Sequence, residues 1–367
     1  MEKAKINASE LVALMLLFEI GSAVVVGLGM QAKQDAWMAI LIGMAAGFIL
    51  FLIYDYLYRH HSSLSLIGYL QIILGKWVGR AVAFLYIVYF FYIAARVLRD
   101  FGALLLSSTL PLTPMLVVNM IMMLAAVYAC SLGIEALGRA SEIFLSIVLM
   151  LAVLAIFLLT ASGVIHWEHL KPPLEHGWKP VLQTVFPQTM TFPFGEIVAF
   201  SMLLPYLNNP LHARRLGLVA ILISGLILSF IIAVNISVLT AYNAENSTFP
   251  LLRTIGKIRL AGFIERLEAI AIVTLIIGGF FKITIFYYAA VKGAHELFQV
   301  GTRKELALWL GLPLLVSSEI IADGYTEHID IGLKLVPLYL HLPFQAGIPL
   351  LLLIITWVRK GYYPTSR

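Results

Sequence analysis

Charged residues and cysteine are scarce in this chain of 367 residues. Asp, Glu, Lys and Arg make up 12% of it, against roughly 25% in soluble domains, and hydrophobic residues make up 61%. This composition excludes a soluble globular protein and indicates a chain that crosses a membrane several times. The single cysteine, Cys130, excludes an internal disulfide and a cysteine-based metal site, and we expect it to be a small core residue.

The sequence also lacks the motifs of nucleotide, acyl-transfer and metal chemistry. No P-loop, dinucleotide-binding glycine pattern or GxSxG is present, and the nine histidines form no HExxH or similarly tight set of ligands. The net charge of +5 comes from basic residues scattered along the predicted loops, which needs no nucleic-acid explanation. We therefore expect a protein that is not an enzyme and that uses no cofactor, metal or nucleic acid.

Long apolar runs dominate the chain. They are continuous, unlike the alternating segments of about ten residues in membrane β-barrels, and they predict an all-α polytopic membrane protein. No convincing cleavage site follows the first run, so we expect it to be retained. At about 20 apolar residues for each helical span, we predict one membrane domain, 1–367, with ten transmembrane helices: 9–30, 36–58, 80–108, 114–132, 141–163, 184–205, 215–240, 267–292, 305–322 and 335–358.

The distribution of Lys and Arg orients the predicted spans. Ten spans place both termini on one side of the membrane. If that side is cytoplasmic, it carries 14 of the 25 basic residues and the opposite side carries 8, as the positive-inside rule requires. We expect Asp55 to lie at the inner interface, and the outer side to hold an interfacial loop at 164–183 and an amphipathic surface helix within 241–266.

Two of the predicted spans, the first and the sixth, are interrupted. The sixth contains TFPFGEIVAF, in which Pro193 removes a helix hydrogen bond, Gly195 loosens the backbone and Glu196 brings a carboxylate to membrane depth. The first contains FEIGSAVVVGLG, whose apolar pattern is broken by the EIGS of residues 19–22. These features are costly in hydrocarbon, and their combination indicates a functional site.

The spacing of the two interrupted spans favours an inverted repeat. They lie five spans apart in a set of ten, so the second repeat, about 184–358, would be inserted upside down relative to the first, about 9–163. Matching interrupted helices in inverted halves indicate a transporter-type binding site, because unwound backbone groups must face protein, water or ligand. The alternative for the sixth span is a Pro-kinked helix with Glu196 hydrogen-bonded inside the bundle.

The third predicted span carries several polar residues on one face. Tyr92, Arg96 and Asp100 follow i, i+4, i+8 spacing, so Arg96 could pair with Asp100. Arg99 could meet a glutamate of the interrupted spans across a central cavity. The alternative is a structural cluster that neutralises itself, or arginine side chains that reach the outer interface.

Lys282 lies at the middle of the eighth predicted span, where an unpartnered lysine would cost about 2.5–3.5 kcal/mol on the insertion scale. We therefore expect it to face Glu196, Glu19 or water. Its ammonium group could take the place of a coupling cation, with the Thr284 hydroxyl group nearby, and the alternative is an ion pair that only holds the bundle together. Lys292, expected near the inner surface, should matter less.

These features resemble a known family. The PFGE motif at 193–196 in a sixth span, the EIGS segment at 19–22 and the ten spans resemble the B subunits of endospore germinant receptors, and LPYLNNPLHARR at 204–215 is similar to their polar inner loop. The resemblance implies the LeuT-type 5+5 inverted repeat of the amino acid–polyamine–organocation superfamily. It also implies a nutrient-sensing subunit of the spore inner membrane, which works with an A subunit and a lipid-anchored C subunit.

The leading hypothesis is thus a permease-like receptor subunit that binds a small polar nutrient, an amino acid or a sugar, and signals by a population shift. The alternatives are an autonomous proton-coupled amino-acid transporter and a nutrient-gated ion or water conduit. The candidate ligand-binding residues are Glu19, Gly21, Ser22, Tyr92, Arg96, Phe194, Gly195, Glu196, Lys282 and Thr284, with Pro193 and Gly195 as the helix break and Arg99, Asp100 and Lys282 as ion-pair candidates.

Overall fold

The computed structural model describes residues 5–259 and 267–362, and this part of the chain is helical. Its only β-type pairing is a single bridge between Ile6 and Leu207. The α-helices of the described residues are α1 (Ala8–Ala23), α2 (Ala36–His60), α3 (Leu66–Leu74), α4 (Lys76–Ser108), α5 (Met115–Leu132), α6 (Ile134–Ala161), α7 (Trp178–Thr184), α8 (Ala213–Leu239), α9 (Ala241–Glu245), α10 (Pro250–Ile255), α11 (Glu268–Phe298), α12 (Arg303–Ile320), α13 (Tyr325–Asp330) and α14 (Ile348–Tyr362).

Local sequence signals define where several helices begin. α1 begins at a capping box, in which the Asn7 side chain accepts from the backbone N–H of Glu10 and the Glu10 carboxylate accepts from the backbone N–H of Asn7. α12 begins with the same motif at Thr302 and Glu305. The turn between α3 and α4 lies at Gly75, whose φ of 83° suits a residue without a Cβ atom.

Seven helices among the described residues are long and apolar enough to cross a membrane: Met30–His60, Lys76–Ser108, Met115–Leu132, Ile134–Ala161, Pro210–Leu239, Glu268–Phe298 and Pro337–Arg359. Arg303–Ile320 and Tyr325–Leu335, bent by 105° relative to each other, add an eighth if they are counted as one span. The seven helices overlap the second, third, fourth, fifth, seventh, eighth and tenth predicted spans. The chain is therefore an all-helical integral membrane protein.

The first predicted span is not interrupted where the sequence suggested. α1 is regular through residues 19–22 and ends at Ala23, and turns at 24–29 lead into a 3₁₀ helix, Met30–Asp35. Gly21 lies against Gly278 of α11, and helices that cross closely in membranes need small residues at the crossing. Gly21 therefore serves the packing of α1 on α11 and does not interrupt α1. The irregular backbone therefore begins after the EIGS segment, at residues 24–29.

The sixth predicted span contains little α-helix. After α7 the chain forms a π-helical turn, Val185–Thr189, and then a 3₁₀ helix over Phe194–Met202. Pro193, which has no backbone N–H, directly precedes this 3₁₀ helix. Every residue of Phe194–Met202, called the 194–202 segment below, is buried. Its irregular backbone is thus surrounded by protein, where its polar groups avoid lipid.

The bundle has a protein-covered centre and an apolar periphery. α11 packs against α4 and α1, while α2 packs against α8 and the 194–202 segment. All residues of α11 from 281 to 294 are buried, so this helix lies at the centre. α6 instead exposes Ile143, Met150, Val153 and Phe157, the large apolar side chains expected on a face that contacts lipid.

The two predicted loop regions contain short helices. In place of one amphipathic helix within 241–266, the structure has α9 and α10, and residues 260–266 lie outside the described part of the chain. The predicted interfacial loop at 164–183 contains a 3₁₀ turn, Trp167–Leu170, and α7.

Candidate functional site

A buried ion pair lies at the centre of the bundle. The Nζ atom of Lys282 on α11 is 2.5 Å from Oε2 of Glu196 in the 194–202 segment, and the two residues are 0% and 2% exposed. The ammonium group also lies over two aromatic rings, 5.1 Å from the centroid of Phe18 and 4.7 Å from that of Phe192. Because charges this deep are retained only with partners, the pair marks a candidate functional centre.

A chain of polar contacts leads to the same carboxylate. Nε2 of His341 is 3.8 Å from Oε1 of Glu196, and Nδ1 of His341 is hydrogen-bonded to the Tyr89 hydroxyl group at 2.8 Å. That hydroxyl group accepts from Nε2 of Gln345 over 2.8 Å, and Tyr54 donates to the backbone carbonyl oxygen of Gln345 over 2.5 Å. Tyr89 thus links Gln345 to His341, whose other ring nitrogen faces the Glu196 carboxylate.

Glu19 on α1 is a second buried carboxylate near this pair. It is 0% exposed and interacts electrostatically with both Lys282 and Glu196. Among the described residues, neither of its carboxylate oxygens has a hydrogen-bond partner, and the hydroxyl group of Ser22, one turn later on the same face of α1, also has none. Since an unpaired buried polar atom is costly, these groups are candidates for ligand contact.

A small cavity adjoins the ion pair. Its volume is about 50 Å³, and its walls include Ser22 and Glu196. A wider vestibule of about 340 Å³ lies beyond it, towards α9 and α13. Val26, Ile329 and Leu333 line both spaces, so the cavity and the vestibule adjoin at this apolar layer.

Arg96 and Asp100 of α4 do not pair with each other as the sequence suggested. Arg96 donates to the hydroxyl group of Tyr92 over 3.3 Å and to the backbone carbonyl of His328, and Asp100 contacts Nε2 of His328 at 2.9 Å. The reason is that α13 reaches the face of α4 that these residues share and offers both an acceptor and a ring nitrogen. This polar contact joins α4 to α13 beside the apolar layer.

Arg99 does not reach the glutamates of the interrupted spans. It donates over 3.0 Å and 2.8 Å to the backbone carbonyls of Ser318 and Glu319 at the end of α12. The last carbonyl groups of a helix have no partner within it and carry partial negative charge, so they attract a guanidinium group. The structure therefore gives Arg99 a helix-capping position.

The remaining predicted site residues are packed rather than exposed to the cavity. A Cβ atom on Gly195 would collide with Oε1 of Gln345, and Phe194 packs so closely on Gly47 that a Cβ atom there would be 2.5 Å from the Cβ of Phe194. Thr284 is 0% exposed, and it lies two residues beyond Lys282, which places it on a different face of α11. Its hydroxyl group has no hydrogen-bond partner within residues 5–259 and 267–362.

Sequence reasoning missed His341, Gln345 and Tyr54, and it did not predict the burial of Asp55. Asp55 is 0% exposed and lies 2.8 Å from both Arg59 and Arg214.

Lys292 was expected near the inner surface. The protein buries it, to 7% exposure, with Nζ 3.0 Å from the carbonyl oxygen of Met202 and 3.9 Å from the centroid of the Tyr206 ring. The available signal for the missed residues was the same as for Glu196: a polar residue within an apolar run, as in LYLHLPFQ at 338–345.

The fold and the buried centre define a permease-like membrane protein. The structure is similar to that of MhsT in complex with L-phenylalanine, with a TM-score of 0.68, and the match covers 95% of this chain and 97% of that one. The two sequences are 13% identical, so the likeness shows the fold alone. It supports the LeuT-type architecture expected from the sequence.

The chain belongs to the spore germination protein family, whose family model, a spore permease, matches residues 5–323. It is 43% identical to Spore germination protein KB of Bacillus subtilis (strain 168) over 361 residues, which are 98% of this chain and 97% of that protein. Spore germination proteins YndE and A2 of the same strain are 24% and 25% identical, over 90% and 83% of this chain and 89% and 85% of their own length. The resemblance to the germinant receptor B subunits is thereby confirmed.

Proposed function

We propose that this chain is the nutrient-binding subunit of a spore germinant receptor. A small polar nutrient, an amino acid or a sugar, binds beside the ion pair of Glu196 and Lys282. Binding shifts the population of bundle conformations, and the A and C subunits of the receptor respond to that shift. Membership of the spore germination family supports the receptor context, and the fold shared with MhsT supports an internal site for a small molecule.

The proposal includes ten spans in two inverted repeats, about 9–163 and 184–358, within a single membrane domain. Seven of the spans are the seven long helices. The other three are α1, α12 and the region from α7 through the 194–202 segment. The irregular backbone after α1 and in the 194–202 segment supports two interrupted spans at the binding site. Both termini are cytoplasmic in the spore inner membrane, so the vestibule opens on the opposite side.

One observation carries the proposal: Glu196, which lies on irregular backbone at the wall of a cavity, forms a fully buried ion pair with Lys282. A pair that only held helices together would need neither the cavity nor the unsatisfied groups of Glu19 and Ser22 nearby. Ser22, Arg96 and Glu196 line the cavity, and hydroxyl, guanidinium and carboxylate groups around a small space are the features of a binding site for a polar molecule.

The test is the nutrient response of spores that carry Glu196→Gln, which keeps the shape of the side chain and removes its charge. We expect the nutrient concentration for half-maximal germination to rise roughly tenfold or more in spores that are matched to the wild type in their level of this protein. The matched control is Glu142→Gln on α6, which should respond normally.

A normal response of Glu196→Gln spores across the titration would contradict the proposal. Nutrient uptake by proteoliposomes that contain this chain alone would identify an autonomous transporter, and a nutrient-gated flow of ions or water would identify a conduit.

A further inference from the structure

The 194–202 segment ends at a carbonyl group that its own backbone does not satisfy. In a continuing 3₁₀ helix, the donor to the carbonyl oxygen of Met202 would be the residue three positions later, which is Pro205 and has no N–H group. In an α-helix the donor would be Tyr206, but its N–H group donates to the carbonyl oxygen of Leu203 over 2.9 Å. Met202 is buried, so its carbonyl oxygen needs a donor from another part of the protein.

Lys292 on α11 supplies that donor. Its Nζ atom is 3.0 Å from the carbonyl oxygen of Met202, 3.9 Å from the centroid of the Tyr206 ring and 3.5 Å from Oε1 of Glu296, one turn further along α11. A lysine is rarely buried without partners, and the last carbonyl groups of a helix carry partial negative charge that attracts a cation. These contacts place the ammonium group of Lys292 at the end of the 194–202 segment.

A second hydrogen bond holds the partner of Lys292. The Glu296 carboxylate accepts from the hydroxyl group of Ser65, and the Ser65 oxygen accepts from the backbone N–H of Gly68 as the N-cap of α3. Lys292 is thus joined through Glu296 to the start of α3. The contact at Met202 is therefore anchored on two helices, α11 and α3.

The type of helix in the 194–202 segment determines where Glu196 points. A 3₁₀ helix turns by about 120° and rises by about 2.0 Å per residue, against about 100° and 1.5 Å in an α-helix. From Glu196 to Met202, the two forms therefore differ by roughly 120° in direction and roughly 3 Å in length.

The 3₁₀ form of this segment needs support from its surroundings. Runs longer than three or four residues are uncommon in proteins, and this one has nine. Its first residue, Phe194, is held by close packing on Gly47, and its last residue, Met202, is held by the hydrogen bond from Lys292. With both ends held, the segment keeps its length and its twist.

We propose that Lys292 is a positioning residue for the nutrient site. Its ammonium group takes the place of the N–H group that Pro205 lacks, ends the 3₁₀ helix at Met202 and so directs the Glu196 carboxylate at Lys282 and the cavity. This inference rests on the proposed function and adds a residue that acts on the site through the backbone. Two lysines of α11 thus serve one carboxylate, Lys282 by direct contact and Lys292 through the 194–202 segment.

The experiment measures the Tm of the purified full-length chain in lipid nanodiscs, for Lys282→Met, Lys292→Met and the double variant. Substitutions at sites that do not touch have additive effects unless one site positions the other. Because Lys292→Met misdirects Glu196, we expect the decrease in Tm caused by Lys282→Met to fall to roughly half or less in the Lys292→Met chain. The exposed Lys304 provides the control Lys304→Met, which should leave the Tm unchanged in both chains. An undiminished decrease from Lys282→Met would overturn the proposal.

Pro205→Ala tests the role of the missing N–H group. Alanine at this position offers the carbonyl oxygen of Met202 a backbone donor, so Lys292→Met should lower the Tm roughly half as much or less in the Pro205→Ala chain. Equal decreases in the two chains would overturn the proposal. If Lys292→Met alone does not accumulate, recovery of its protein level by Pro205→Ala supports the proposal, and a failure to recover overturns it.

These measurements need no nutrient, so they separate this inference from the proposed function. If the effects of Lys282→Met and Lys292→Met are additive while Glu196→Gln spores lose the nutrient response, only this inference fails. If the effects are coupled while Glu196→Gln spores respond normally, Lys292 still positions Glu196, but the pair is not a nutrient site and the proposed function fails.

Discussion

Gly21 and Gly278 bring the backbones of α1 and α11 into direct contact. A Cβ atom on Gly21 would lie 2.7 Å from the carbonyl oxygen of Gly278, and one on Gly278 would lie 2.8 Å from the Cα of Gly21. The same crossing places Phe18 of α1 over the ammonium group of Lys282 on α11. The glycine pair therefore sets the distance between the two helices that carry Glu19 and Lys282.

Gly21→Ala should destabilise the protein, because the added methyl group meets rigid backbone. We expect a cost of about 1–3 kcal/mol, as for other overpacked sites, measured as the free energy of unfolding in detergent. Gly279→Ala is the matched control, since its Cβ atom would meet only the Phe101 ring at an ordinary 3.6 Å. Gly279→Ala should leave the free energy of unfolding unchanged or raise it by up to about 1 kcal/mol, because alanine has a higher helix propensity than glycine. Equal stabilities of the two variants would contradict the close crossing.

Arg214→Met should destabilise the contact between α2 and α8. Arg214 pairs with the fully buried Asp55, and its removal leaves that carboxylate with Arg59 as its ion-pair partner. We expect a loss of roughly 1.5–3 kcal/mol, the contribution of a hydrogen bond between charged groups. The adjacent Arg215 is exposed and provides the control Arg215→Met. A similar Tm for the two variants would show that the Asp55 pair contributes nothing to stability.

Cysteine labelling should reveal the apolar layer between the vestibule and the cavity. In a Cys130→Ala background, Thr248→Cys in the vestibule should react readily with a membrane-impermeant maleimide, while Ser22→Cys in the cavity should be protected. Leu333→Ala removes part of the layer and should speed the labelling of Ser22→Cys. Rapid labelling of Ser22→Cys without that change would mean that the cavity is open to the vestibule.

The pattern of polar residues in apolar runs predicted the class of protein and the most deeply buried charges. Glu196 and Lys282 stood out because a charge at membrane depth needs a partner, and the structure places them in contact, one of the three partners that the sequence allowed for Lys282. The fold class followed from the length and number of the apolar runs. These features depend on composition and spacing alone.

Other features depend on neighbours that are distant in sequence. From the sequence alone, Gly21 could either break α1 or pack against another helix. The position of α11, whose Gly278 contacts Gly21, distinguishes the two possibilities. The buried position of Asp55 likewise involves Arg214, which lies 159 residues further along the chain. The partners predicted for Arg96 and Arg99 were wrong, because both side chains donate to backbone carbonyl groups. A prediction from side-chain charges does not consider these acceptors.

Lys282→Met alone should strongly destabilise the bundle, because it leaves the carboxylate of Glu196 buried without its partner. Removing one member of a buried pair costs about 3–5 kcal/mol, which should appear as a lower Tm and a lower level of protein in the membrane. Lys292 is not a suitable control, since it is itself buried and donates a hydrogen bond to the carbonyl oxygen of Met202. Lys304→Met, at an exposed position near the start of α12, takes its place and should resemble the wild type.

The most direct test of the central claim combines Lys282→Met with Glu196→Leu in one chain. Replacing both members of a buried pair with apolar residues of similar size is often neutral for stability, so Tm and protein level should return close to those of the wild type. If the pair forms the nutrient site, spores with this stable double variant will still fail to germinate across the full nutrient titration. Germination at wild-type nutrient concentrations would contradict the account, because the pair would then only hold the helices together.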